Sequence, residues 1–209
     1  MKAKLLAIVS GLLLLASLSA CWGGGGSGYP AAGEDHFAAV HGTLQLALGE
    51  GDANTASVDL AGSAVVRRQE SETGNDGLQS IMTELVDLQL QGNGDFGSVT
   101  VHLHPDKRSH GGVRQQKAGK DFPADGYFQL FLEIVIADEN LTVRNETQLP
   151  VVATLMTVPP AAGKTFELAE NFNVAVYTSD AQQVGTVESL TLTFGPAETT
   201  DITTPEAGG

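Results

Sequence analysis

His102 and His104 stand two residues apart, followed by Asp106 and His110, and no other group of residues in this 209-residue chain is better equipped for chemistry. The segment Val99-Thr100-Val101-His102-Leu103-His104 alternates strictly, as a half-buried strand does, and side chains two apart on a strand project from the same face. Imidazoles so placed can ligate one Zn²⁺ when a loop carboxylate or a third histidine folds back, roles open to Asp106 and His110. The plainer reading puts Val99, Val101 and Leu103 in the core and leaves the histidines on the solvated face. A metal site also needs hydrogen-bond partners behind its ligands, which spacing does not supply.

The residues that follow read as a basic loop. Lys107, Arg108, Arg114, Lys117 and Lys120 fall in one stretch with Ser109, Gly111 and Gly112. Such a patch can meet a lipid phosphate, an anionic glycan or an acidic protein partner. The alternative is a solvated loop balanced by Asp106, Asp121 and Asp125, and exposed charges of that kind contribute little. Oxygen ligands for Ca²⁺ occur at Asp52 and Asn54, at Asn75 and Asp76, at Asn93 and Asp95, and at Asp138-Glu139-Asn140. None of these reproduces a spaced calcium loop, and turn chemistry explains the same residues. Zn²⁺ and Ca²⁺ are therefore alternatives to a cofactor-free protein. Glu84 with Asp87, or Glu133, can be imagined as a glycosidase pair, a chemistry that depends on a separation the sequence does not give. The chain has no Gly-x-Ser-x-Gly elbow, no paired-histidine zinc helix, no phosphate-cradling glycine loop and no cysteine nucleophile, so no enzyme is expected.

The elements that must position these residues are strands. Leu44 to Leu48, Val58 to Val66, Val86 to Leu90, Val99 to His104, Val151 to Met156, Val174 to Thr178 and Glu188 to Phe194 carry a period of two or short apolar runs. Gly, Asn and Asp punctuate the gaps, because they tolerate positive φ. Tyr127 to Ile136 is the densest segment, apolar on both faces, and reads as one central strand. No window gives a convincing helical stripe, though Phe166 to Phe172 allows one short turn. About nine short strands predict an all-β, antiparallel β-sandwich, Ig-like or jelly-roll-like, with a small closed β-barrel as the alternative.

The two ends read differently. Met1-Lys2-Ala3-Lys4 precedes an apolar stretch from Leu5 to Leu18, too short and too diluted by serine and glycine to span a bilayer. It closes on Leu18-Ser19-Ala20-Cys21, which resembles the lipobox of bacterial lipoproteins. That resemblance implies cleavage before Cys21, diacylglycerol on its thiol, and acylation of its new amino group; several chains hold a protein stably on a membrane. It also implies the outer membrane of a diderm bacterium, since Trp22 rather than aspartate follows the cysteine. Residues 1–20 are then signal peptide, 21–35 a lipidated cysteine and Gly-rich tether, 36–195 a single β-domain, and 196–209 a disordered tail. Gly97 to Val101, Phe128 to Glu133 and Val158-Pro159-Pro160 look like a loose set of secreted bacterial all-β domains with no established activity. Loss of Lys2 and Lys4 takes the formal charge from -14 to -16, a balance that repels nucleic acid. With Cys21 consumed, no thiol or disulfide remains. The expected function is a non-enzymatic, membrane-tethered binding or structural module; the sequence assigns neither its ligand nor its oligomeric state.

Overall fold

The structure, a computed structural model, describes residues 28–49 and 55–202. The signal peptide, Cys21, the first part of the tether, Asp52 and Asn54 lie outside the described residues. Thirteen strands follow in order: β1 (Gly33–Leu48), β2 (Thr55–Thr73), β3 (Gln79–Gly94), β4 (Gly97–Leu103), β5 (Ser109–Lys117), β6 (Lys120–Leu130), β7 (Leu132–Ile136), β8 (Leu141–Asn145), β9 (Leu149–Leu155), β10 (Lys164–Leu168), β11 (Val174–Tyr177), β12 (Gln183–Phe194) and β13 (Ala197–Asp201). All pairings between them are antiparallel, as the alternation of the sequence predicts. The expected all-β class is present, with more strands than the nine anticipated and with its two walls belonging to one continuous sheet.

Sharing of long strands makes that continuity possible. β1, β2, β3 and β12 lie side by side, and the outer two each serve two neighbours. β3 pairs with β5 through Ser80 to Leu85 and with β4 through Gln89 to Gly94. β12 pairs with β11 through Gln183 to Val187 and with β10 through Thr191 to Phe194. From these branches the ladder closes twice. One ring runs β12-β1-β2-β3-β4-β7-β8-β11, and the second runs β12-β1-β2-β3-β5-β6-β9-β10. The long strands must coil sharply to serve both. A Cβ on Gly62 of β2 would overlap the carbonyl oxygen of Gln89 on β3, so only glycine permits that approach.

One core fills both rings. The first ring is aliphatic, with Leu46, Leu60, Val101, Ile134, Val143 and Val187 all buried. Aromatic packing fills the second: Phe37 and Phe194 have ring centres 4.8 Å apart, Phe128 and Phe166 5.2 Å, and Phe166 and Phe194 5.5 Å, within the range of favourable edge contacts.

The chain passes repeatedly between rings, and the segment expected as one central strand is such a passage. Tyr127 to Ile136 is split at Phe131, with β6 in the second ring and β7 in the first. Ser109 Oγ accepts from the Phe131 N–H at 2.9 Å, and the Phe131 carbonyl accepts from His104 N–H at 2.9 Å, so its backbone is satisfied without a ladder partner. Asn145, buried at the end of β8, does the same for the flanking residues. Its Oδ1 accepts from Leu132 N–H at 2.6 Å, and its Nδ2 donates to the carbonyls of Leu130 at 2.9 Å and Thr147 at 2.7 Å.

Both ends of the described chain are more structured than the sequence suggests. Tyr29, inside the expected tether, is buried; its ring meets Phe122 edge-on at 5.6 Å, and its hydroxyl donates to the Asp121 carbonyl at 3.3 Å. Gly28 N–H donates to Asp121 Oδ2 at 2.7 Å, and β1 already begins at Gly33. Residues 28–35 are thus part of the body. The expected tail contains β13, which continues along β1 in the register where β12 leaves off, the Gly195 N–H donating to the Ala39 carbonyl at 2.8 Å between them. Low hydrophobicity concealed it, since an edge strand needs backbone pairing more than apolar side chains. Phe166 to Phe172 holds the end of β10 and a turn in place of the helical turn.

Two outcomes are expected. Asn145→Ala leaves two buried backbone groups, the Leu132 N–H and the Leu130 carbonyl, without their side-chain partner and lowers stability to urea by about 3 kcal/mol. Burial, reinforced by the Asp121 and Asp125 carboxylates, pushes the Tyr29 phenol up to about 12. Its folded value lies above the ordinary one near ~10, so its stabilisation is complete below that pH and is lost as pH rises toward about 12. Absorbance titration then shows one late-ionising tyrosine, a step that Tyr29→Phe removes.

Candidate functional site

The histidines do not converge. β4 ends at Leu103, so His104 has left the strand, and its imidazole is buried while His102 stays half-buried in register with Glu133. His104 Nδ1 accepts from Asp106 N–H at 3.1 Å, which leaves Nε2 as the free ring nitrogen. That nitrogen has no hydrogen-bond partner and lies 3.8 Å from Glu146 Oε1. Asp106 is exposed, and His110 stands on β5 opposite Glu84 and Gln129. No group of three or more His, Cys, Asp or Glu able to hold a metal ion occurs among the described residues, so the expected set of His102, His104, Asp106 and His110 is not assembled. The alternation rule failed because the strand stopped one residue before His104, where the chain turns into the passage between rings.

The expected basic loop is a hairpin of β5 and β6, and it distributes its cations. Lys107 pairs with Glu146 and sits 5.1 Å from the centre of the Phe131 ring. The Lys107 hydrogen bond holds the Glu146 carboxyl below its ordinary value, with His104 adding a smaller contribution in the same direction. Arg108 lies 3.8 Å from Glu84, itself 3.8 Å from Arg67. Arg114 pairs with Asp76, whose carboxyl is held low first by the Leu78 N–H and then by that guanidinium. Lys117 and Lys120 face each other across the hairpin tip with no ion-pair partner among the described residues. Glu133, one of the imagined glycosidase carboxylates, accepts from Arg144 Nε at 2.7 Å.

Sequence reasoning overlooked the charged centre of the second ring. Arg68 of β2 is fully buried, flanked in register by Gly33 of β1. Its guanidinium pairs with the buried Asp35, donates from Nε to the Ala31 carbonyl at 3.1 Å, and reaches Asp201 at 3.2 Å. Asp35 also accepts from the Thr199 hydroxyl at 2.8 Å. The signal was present in the alternation, because Asp35 falls in phase with Phe37 and Arg68 with Val66, both core positions. The pair lines a cavity of about 20 Å³ with Phe37, Phe166 and Val158, room for one water molecule. The second ring is therefore a packed core. An open groove lies at the far end of the first ring, lined by Leu48, Phe96, Glu139, Leu141 and Val184.

A buried ion pair is fragile to loss of one partner. Arg68→Ala strands the Asp35 charge and is expected to cost about 3–5 kcal/mol in urea unfolding, whereas the paired change Asp35→Leu with Arg68→Met costs clearly less.

With this geometry in view, comparison with known proteins adds the following. No curated protein sequence matches the chain. Among solved structures, "Structure of DynF from the Dynemicin Biosynthesis Pathway of Micromonospora chersina" is similar in fold, with a TM-score of 0.69, 20% identity, and coverage of 85% of this chain and 84% of that one. Residues 43–201, from the middle of β1 to the last residue of β13, match the model of a family of unknown function, DUF6073, and the chain belongs to that family.

Proposed function

We propose that this protein is a cell-envelope lipoprotein: a non-enzymatic β-module held to a membrane through lipid on Cys21 and presenting its first-ring end outward, as a binding or structural element. One observation carries the reading. The described chain enters at the outer end of the second ring, where Gly28 and Tyr29 are fastened to Asp121 and Phe122. β3 runs from that end to the groove end over 16 residues, pairing with β5 at the first and with β4 at the second. Anchoring at Cys21 therefore places the groove beside Phe96 and Leu141 at the distal end, where a partner can reach it. The combined apolar and polar lining suits a surface contact with a protein or glycan. The packed second ring supports a scaffold role for that half.

Metabolic labelling tests the anchor. In a bacterium that processes lipoproteins, labelled palmitate is expected to enter the chain, and Cys21→Ser is expected to abolish both labelling and membrane fractionation. A chain that remains soluble and unlabelled with Cys21 intact contradicts the proposal.

A further inference from the structure

Six of the nine described cations, Arg67, Arg68, Lys107, Arg108, Arg114 and Arg144, have carboxylate partners. The three without an ion-pair partner among the described residues are Lys117, Lys120 and Lys164, and the topology brings all three to one end. β6 leaves the hairpin tip at Lys120 and runs to the passage between rings, β9 returns antiparallel to it, and β10 departs again from Lys164. The tip and the β9–β10 connection therefore share the outer end of the second ring. Met156, 64% exposed, begins that connection, and Ile202, 49% exposed, follows β13 at the same end. The chain enters there too, at Gly28 beside Asp121.

We infer that this end is a bilayer-docking surface, with Lys117, Lys120 and Lys164 engaging anionic lipid headgroups and Met156 and Ile202 meeting the interface. The inference rests on the reading of Cys21 as the lipidated residue. Only seven residue steps separate Cys21 from Gly28, a reach of at most about 25 Å when fully extended and about 15 Å for a Gly-rich coil. The tether expected to extend to residue 35 is thus shorter, and it keeps the lysines within reach of the headgroups, whose field acts over about 8–10 Å. A lipid anchor with a basic patch is the pairing that gives stable, oriented attachment. The body as a whole is acidic, and Asp76, Asp121, Asp125 and Asp201 lie at this end as well. Arg114 neutralises Asp76, Asp201 shares Arg68 with Asp35, and Asp121 and Asp125 accept only from neutral donors, the Gly28 N–H with Gln115 and Gln116; Glu70 and Glu72 of β2 are exposed at this end too. Attraction to anionic headgroups therefore rests on the exposed Lys117 and Lys120 and the half-exposed Lys164 alone, acting locally against the neighbouring carboxylates, and the exposed Met156 and Ile202 add apolar contact at the same end.

The test uses the full mature chain, purified with its anchor and inserted into vesicles of phosphatidylcholine with or without phosphatidylglycerol, each containing a nickel-chelating lipid. Because Cys21 is consumed, Ala118→Cys at the hairpin tip offers a unique thiol for a spin label, and Asp95→Cys at the opposite end serves as control. Relaxation by the headgroup nickel is expected to be at least threefold stronger at position 118 than at 95 with phosphatidylglycerol present. It should fall when Lys117, Lys120 and Lys164 are changed to Glu, or when 1 M salt shortens screening to about 3 Å. Equal relaxation at both positions, or indifference to phosphatidylglycerol, overturns the inference. The mass of the purified chain reads the anchor separately. If Cys21 proves unmodified, the same chain is sedimented with the vesicles: phosphatidylglycerol-dependent pelleting lost in the triple variant supports docking, and absence of pelleting overturns it. Unchanged melting temperatures establish that the variants are folded.

Discussion

A sheet that branches must satisfy its backbone where the branches part, and the architecture depends on that constraint. β3 and β12 each hand one edge to two different neighbours, so the chain has to step from one ring to the other between β4 and β5, at Phe131, between β8 and β9, and between β10 and β11. At these steps ladder pairing stops beside buried residues such as Leu130, Leu132, His104 and Ser109, and an unpaired buried amide costs about as much as a lost hydrogen bond. Asn145 and Ser109 resolve the conflict with side chains that imitate ladder partners. Without them the second ring would have no reason to end where the first begins.

A different device closes the outer part of the second ring. Phe37, Phe128, Phe166 and Phe194 supply the packing, but β1 there must be held by strands from both ends of the chain. Arg68 does this from the inside, gathering Ala31, Asp35 and Asp201 onto one guanidinium. Burying the charge is unfavourable by itself and becomes tolerable through complete hydrogen bonding and an ionic partner. The consequence is specificity of register: the guanidinium is satisfied by the alignment that sets β1 on β2 with Gly33 opposite Arg68 and β13 on β1 with Asp201 opposite Gly33. The first ring has no counterpart, because its aliphatic residues from eight strands close it by packing.

Charge placement links the fold to its surroundings. The acidic body neutralises most of its own cations, and pairing at the ring boundary, such as Lys107 with Glu146, is structural. What escapes pairing is concentrated where the chain enters. Orientation on a surface then becomes a property of the fold, since the same strand order that sets the rings also sets which connections share an end.

The alternation of Val99 to Leu103 and Glu188 to Phe194 determined an all-β, antiparallel protein, because a period of two fits only a pleated surface with one buried face. Glycine and asparagine marked most turns for an equally local reason. Tertiary structure decided the rest. Whether Tyr127 to Ile136 is one strand or two depends on Ser109 and Asn145, distant residues that interrupt the ladder. Whether His102 and His104 share a face depends on where β4 stops, and it stops one residue too early. Arg68 and Asp35 were each visible in phase with core residues, but their meeting requires the register of β1 against β2. Periodicity is a property of neighbours along the chain and is legible there; convergence is a property of pairing between strands far apart in sequence, and only the closed sheet supplies it.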